Sequence, residues 1–167
     1  MVDPDIIIKK MGLLPHPEGG YYKEIYRSEE IIDGSALPNR YTGSRNFSTS
    51  IYYMLHGNQV SYFHKLKSDE IWHFYLGSPA IIHCLNNDGY SKTIVGNGIE
   101  HGEQPQFIIK AETLFAAEVE DKNNFSLVGC TVAPGFNFED LILASRKELL
   151  NKYPSHKDLI IKFTNDK

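Results

Sequence analysis

The sequence predicts a mainly β fold: one domain whose short strands wrap into a small barrel around a pocket for a small molecule. Three observations predict it. Between residues 47 and 133 short apolar runs recur at regular spacing, each stopped by Gly, Pro, Asn or Asp, the pattern of a sandwich or barrel. Aromatic residues make up 12% of the chain, with ten Tyr and nine Phe, and such residues suit strands. Helical signals are confined to the two ends.

Taken in order, Asp3, Pro4 and Gly12 are the cap, first position and stop of a short opening helix. The turn-rich stretch Leu14-Pro-His-Pro-Glu-Gly-Gly20 leads into an alternating strand, Tyr21 to Arg27, and residues 33–45 form a polar loop. Strands are then predicted over Phe47 to Leu55, Val60 to Lys67 and Glu70 to Leu76, with Ser68-Asp69 as a turn between the last two. Ala80 to Leu85 and Tyr90 to Val95 make a hairpin across Asn87-Asp88-Gly89, where Asp-Gly suits a primed turn. Gln106 to Lys110, Leu114 to Val119 and Phe125 to Ala133 follow, and Phe136 to Ala144 reads as a further strand after Pro134-Gly135. Helices are expected over Ser145 to Lys152 and Ser155 to Phe163, the second with Ser155 as its cap. The barrel therefore occupies roughly residues 20–144 of a single domain spanning 1–167, with the C-terminal helices over 145–163.

Length and composition narrow the function classes. A chain of 167 residues buries a core without disulfide or metal staples. The net charge of −4 comes with scattered Lys and Arg and no basic stripe, which argues against nucleic acid. No apolar run is long enough to span a bilayer and no signal peptide is evident, so no membrane partner is expected. Cys84 and Cys130 lie in apolar segments without metal-site spacing, and read as buried thiols of a cytoplasmic protein.

The chemistry-bearing stretch runs from Gly57 to Gly77. Strand alternation places Val60, Tyr62, His64 and Leu66 on one face, and Glu70, Trp72, Phe74 and Leu76 on one face of the next strand. A two-residue turn between them would aim His64 and Glu70 into an aromatic interior. Burial raises a carboxyl's pKa and a nearby imidazole opposes the rise, so the pair suits acid–base work or a satisfied core contact. His73 falls on the opposite face in a regular strand, and only a β-bulge would re-aim it as an accessory group. Pro15-His16-Pro17-Glu18-Gly19-Gly20 reads as mainly structural, because its prolines and glycines fix the path of the chain.

The Gly57–Gly77 stretch resembles the first cupin motif, with His64, Glu70 and Gly77 at the motif's places and Leu66 where a second histidine stands; Phe115 occupies the place of the second motif's final histidine. The closer resemblance is to the DUF985, or cupin 5, branch. It rests on Pro15-His-Pro-Glu-Gly-Gly-Tyr-Tyr22, Tyr26-Arg-Ser28, Lys67-Ser-Asp-Glu-Ile-Trp-His-Phe-Tyr75, Leu127-Val-Gly-Cys-Thr-Val-Ala-Pro-Gly-Phe136 and Tyr153-Pro-Ser-His-Lys-Asp-Leu159. The resemblance implies a jelly-roll barrel with short terminal helices and a homodimer, in which the strand Tyr21 to Arg27 can pair across a two-fold axis.

Metal-dependent cupins use three His and one Glu, and two of those positions here are Leu66 and Phe115. No metal or other cofactor is therefore expected, with one divalent transition metal at His64 and Glu70 as the weaker alternative. The surviving analogy is to metal-free cupins that epimerise keto-deoxysugars. By that analogy His64 and Glu70 are the catalytic pair and Tyr53 or Tyr62 the proton donors. Arg27 would hold a phosphate or carboxylate, and Trp72, Phe74 and Phe115 would complete the ligand wall. The implied ligand is a small polar metabolite resembling a carbohydrate or nucleotide. The rival readings are a non-catalytic binding module and a metal-dependent oxygenase or isomerase.

Overall fold

The computed structural model describes residues 3–165. Helix α1 spans Pro4–Met11; the Asp3 side chain accepts from the Asp5 N–H, and left-handed Gly12 ends it, as the sequence signals. The strands that follow are β1 (Leu14–Pro15), β2 (Tyr21–Arg27), β3 (Ile31–Ile32), β4 (Arg45–Asn46), β5 (Thr49–His56), β6 (Val60–Leu66), β7 (Asp69–Gly77), β8 (Ala80–Asn86) and β9 (Gly89–Val95). Then come β10 (Gln106–Ile109), β11 (Leu114–Val119), β12 (Phe125–Ala133) and β13 (Leu141–Leu143), followed by α2 (Arg146–Lys152) and α3 (Lys157–Lys162).

The strands make two principal ladders. A six-stranded sheet has the order β1-β2-β5-β12-β7-β10 and a five-stranded sheet the order β13-β6-β11-β8-β9; β3 and β4 pair separately. The sheets face each other as a jelly roll, a sandwich-like barrel rather than one closed ring of strands. Alternating residues of both sheets fill the space between them, among them Tyr53, Trp72, Ile82, Phe115 and Val128. Helices α2 and α3 cover the outer face of the five-stranded sheet through Phe63, Leu85, Leu149, Ile160 and Phe163. Helix α1 covers one end of the other sheet's outer face through Ile7, Met54, Phe125 and Leu127.

Four local expectations change. Strands β6 and β7 lie in different sheets, so residues 67–68 are a crossover rather than a hairpin turn. The β8–β9 turn has Asn87 and Asp88 at its centre without positive φ, and the residue with positive φ is Gly89 at 116°, so the turn is not primed. The segment expected as a strand from Phe136 to Ala144 begins instead with a 3-10 turn, Phe138–Asp140, started by the Asn137 side chain accepting from the Glu139 N–H at 3.0 Å; only Leu141–Leu143 pairs, with β6. Ser155 does not cap a helix. It sits inside the 3-10 turn Pro154–His156, set by the proline, and α3 starts two residues later.

A β-bulge governs what β6 presents. Phe115 faces His64 and Ala117 faces Ser61, so Tyr62 and Phe63 together oppose Ala116. Before the bulge Ser61 points inward; after it His64 and Leu66 do. Tyr62 is turned to an outer hollow that it shares with Phe63, Leu143 and Thr164. The expected inward row Val60, Tyr62, His64, Leu66 is therefore broken at its first two members.

Candidate functional site: the cavity between the sheets

The segment after β1 enters the space between the sheets. Its path depends on Gly19 (φ 104°) and Gly20 (φ 71°): a Cβ on Gly19 would lie 2.1 Å from the Val60 carbonyl oxygen, and one on Gly20 would lie 2.7 Å from the Met54 carbonyl oxygen. The Gly19 N–H donates to the His16 carbonyl at 3.0 Å and the Tyr62 N–H to the Glu18 carbonyl at 2.7 Å. The Tyr53 hydroxyl donates to the Gly19 carbonyl at 2.7 Å. So tied, the segment delivers the side chains of His16 and Glu18 into the interior. The sequence alone reads their segment as mainly structural. The available signal was two titratable side chains inside a Pro- and Gly-fixed segment, since such rigidity holds a polar side chain against burial.

Glu18 and His64 share one proton. His64 Nδ1 lies 2.7 Å from the Tyr62 carbonyl oxygen, which only accepts, so Nδ1 carries a hydrogen. His64 Nε2 then meets Glu18 Oε2 at 3.1 Å, and that contact needs a proton between the two atoms. Burial lowers the pKa of His64, opposed by Glu70, and burial raises that of Glu18, opposed by His16 and by hydrogen-bonding neighbours. Both directions favour the uncharged forms, so burial favours the arrangement in which a neutral Glu18 carboxyl donates to a neutral imidazole. The Ser61 hydroxyl donates to the other Glu18 oxygen at 3.2 Å. Phe115 packs on the imidazole with ring centres 4.1 Å apart.

In front of this pair lies a cavity of about 270 Å³, whose walls include His16, Glu18, Tyr22, Leu66, Glu70 and Cys130. Arg27, Phe136 and Phe138 also border it. Glu70 is 7% exposed and its Oε2 has no hydrogen-bond partner, one of three such buried side-chain atoms among the described residues, with Trp72 Nε1 and Ser126 Oγ. Burial raises its pKa to about 7 and the Glu18 carboxyl adds to the rise, while His64, the Trp72 indole and the Cys130 thiol oppose it. Glu70 is therefore the cavity-facing group that changes charge near neutrality. His16 is kept neutral, chiefly by burial, and sits in an aromatic cage with Tyr22 at 4.6 Å and Phe138 at 6.0 Å.

The other residues singled out from sequence divide clearly. His64 and Glu70 both face inward, from opposite sheets, with Glu18 at His64 Nε2; His64 itself does not border the cavity. Trp72, Phe115 and Tyr53 are buried behind the wall, and Phe74 packs against the same cluster. Burial pushes the Tyr53 phenol well above its usual pKa, and its hydroxyl is committed to Gly19, so it is an anchor rather than a proton donor. Tyr62 is turned outward by the bulge. His73 stays on the outer face of its sheet, where Nε2 meets Thr131 Oγ1 at 3.2 Å. Arg27 stands at the mouth with its guanidinium held by both Glu24 oxygens (3.0 and 2.7 Å), by Asn46 Oδ1 and by the Phe136 carbonyl, so it clamps the rim instead of offering a free cation.

The donor set does not fit the metal of metal-dependent cupins. Leu66 and Phe115 carry no ligating atom, both His64 nitrogens face protein partners, and no group of three or more His, Cys, Asp or Glu among the described residues is arranged to hold an ion.

Comparison with known proteins agrees with this architecture. A family model described as "Cupin superfamily (DUF985)" matches residues 5–144. An uncharacterized protein of Saccharomyces cerevisiae is 31% identical over 144 residues, covering 80% of this chain and 71% of the yeast protein. The crystal structure of a protein from Shewanella oneidensis is similar with a TM-score of 0.89 and 36% identity, covering all of both chains. A hypothetical protein from Leishmania major has a TM-score of 0.88 at 29% identity, covering 99% of this chain and 100% of its own.

Proposed function

The chain belongs to the DUF985 family of the cupin superfamily, and on that premise we propose that it binds a small polar metabolite between its sheets and moves a proton on it, as a metal-independent isomerase or epimerase does. The observation that carries this reading is Glu70: a buried carboxyl with one unpartnered oxygen, bordering the cavity, whose pKa of about 7 suits both taking and returning a proton. His16 is the second cavity-bordering group able to hold a proton, and Glu18 with His64 forms a neutral wall behind them. The substrate class is a carbohydrate- or nucleotide-like compound with a proton on carbon next to a carbonyl.

The test is solvent exchange. Candidate keto-sugars and keto acids incubated with the protein in D₂O should lose a C–H signal by NMR, and Glu70→Gln should slow that loss by a factor of about 10²–10⁴, the usual contribution of a positioned acid–base group. Exchange that proceeds equally in Glu70→Gln would contradict the reading. Retention of a compound without exchange would move the protein to the binding-module class. That alternative draws support from the single proton-ready carboxyl on the cavity wall.

We propose also that the protein is cytosolic and a homodimer. Two buried free thiols support a reducing compartment. Strand β2 supports the dimer, because β1 covers only Tyr21 and Tyr22, leaving the edge beyond them with Ile25 and Tyr26 exposed.

A further inference from the structure

We infer that the cavity takes a ring-bearing ligand that presents an N–H or O–H donor to Glu70, and that it rejects ligands whose inner end is a carboxylate or phosphate; the inference rests on the cavity being the ligand site proposed above. Three observations carry it. The Glu70 carboxyl borders the cavity and is under-satisfied, its fully buried Oε2 having no hydrogen-bond partner, so the group remains an acceptor for a donor that enters the cavity. A second carboxyl, Glu18, stands on the same wall with its proton turned to His64, so it offers an entering anion acceptor oxygens and no donor. Among the described residues no free cation borders the cavity: the Arg27 guanidinium at the mouth is paired with Glu24 through two hydrogen bonds. His16 is held neutral by its burial.

The outer part of the cavity has the opposite character. Phe136 and Phe138 stand edge to face at 5.0 Å, and Phe138 is 52% exposed beside the opening. Next to them the His16 ring lies nearly parallel to Phe138, at an angle of 28°. An exposed aromatic rim over a buried acceptor matches an amphipathic ligand, with a flat or ring face outward and a donor inward. Cationic donors gain most when Glu70 is ionised, and neutral donors bind in either state.

The isosteric series benzamidine, benzamide and benzoate tests this, with ¹⁵N-resolved shifts of cavity residues reporting the site and dissociation constants read by titration at pH 8. Benzamidine should bind at least about tenfold tighter than benzoate, or about 1.4 kcal/mol, with benzamide between them. Glu70→Gln should reduce the benzamidine advantage over benzamide to less than about twofold. Should that variant fail to fold, the wild-type protein at pH 5.5 serves instead, where protonation of Glu70 should shrink the same advantage. Benzoate binding in the cavity as tightly as benzamidine would overturn the inference while leaving the cavity as a ligand site. A benzamidine advantage unchanged in Glu70→Gln and at pH 5.5 would also overturn it, and so would the absence of any cavity shift with all three probes at 10 mM. The proton-transfer reading is decided separately, by solvent exchange.

Discussion

Glu70 couples stability to pH with a definite sign. Its carboxyl holds a proton up to about pH 7 in the folded protein and only to its ordinary value of 4.5 when unfolded. Between those values the folded state binds more protons, so its contribution to stability is full below pH 4.5 and is lost as pH rises through 7. The lost contribution is on the order of 3 kcal/mol. Glu70→Gln should therefore melt higher than wild type at pH 8 and match it near pH 4.5, read by thermal unfolding at both pH values; equal melting at pH 8 would contradict the burial argument. His64→Ala removes the acceptor of the Glu18 proton and strands a buried carboxyl, which should cost about 1–3 kcal/mol in chemical denaturation. Glu18→Gln keeps a donor for Nε2 and should cost less. At this scale the sequence made His64 and Glu70 legible, because strand alternation and motif spacing pointed both inward. Glu18 was not legible, since it reaches His64 from a segment with no regular period, across more than forty residues of chain.

Alternation presumes an unbroken ladder, and one extra residue in β6 exchanged Tyr62 for Ser61 on the inner face. The glycines that fix the inward segment were visible, but not the direction in which they aim its side chains. Gly19→Ala would force a Cβ against the Val60 carbonyl at positive φ, a conformation alone worth about 1–2 kcal/mol. The segment should shift, Glu18 should leave His64, and binding in the cavity should weaken along with stability; normal binding in Gly19→Ala would show that the segment does not build the site. The loop before β4 is secured differently. Arg45 and Asp140, both buried, form a two-pronged pair at 2.6 and 2.7 Å that ties β4 to the 3-10 turn carrying Phe138 at the cavity mouth. Asp140→Asn should cost about 3–5 kcal/mol in denaturant unfolding, because the Arg45 charge is left buried. A loss under about 1 kcal/mol would mean that water reaches the guanidinium.

Across the whole molecule, the mainly β class, the element order and the helices at both ends could be read from turn punctuation and caps. Which strands share a sheet could not, because β6 and β7 follow each other directly yet belong to opposite layers, and short crossovers resemble hairpin turns in sequence. That crossover is what sets His64 and Glu70 on facing sheets, with room for a ligand between the layers. The open edge of β2 predicts a dimer at micromolar concentration by sedimentation velocity, and replacing Ile25 and Tyr26 with Lys should shift it to monomer, as edge charges block strand pairing. A wild-type monomer would contradict the dimer. The two-sheet fold keeps one cavity-bordering carboxyl, Glu70, ready to exchange its proton near neutral pH. The most direct measurement is a ¹³C NMR titration of the Glu70 side-chain carboxyl, assigned by its loss in Glu70→Gln. A midpoint of about 7 is expected, and a midpoint at the ordinary value of 4.5 would show that burial does not hold the proton on Glu70.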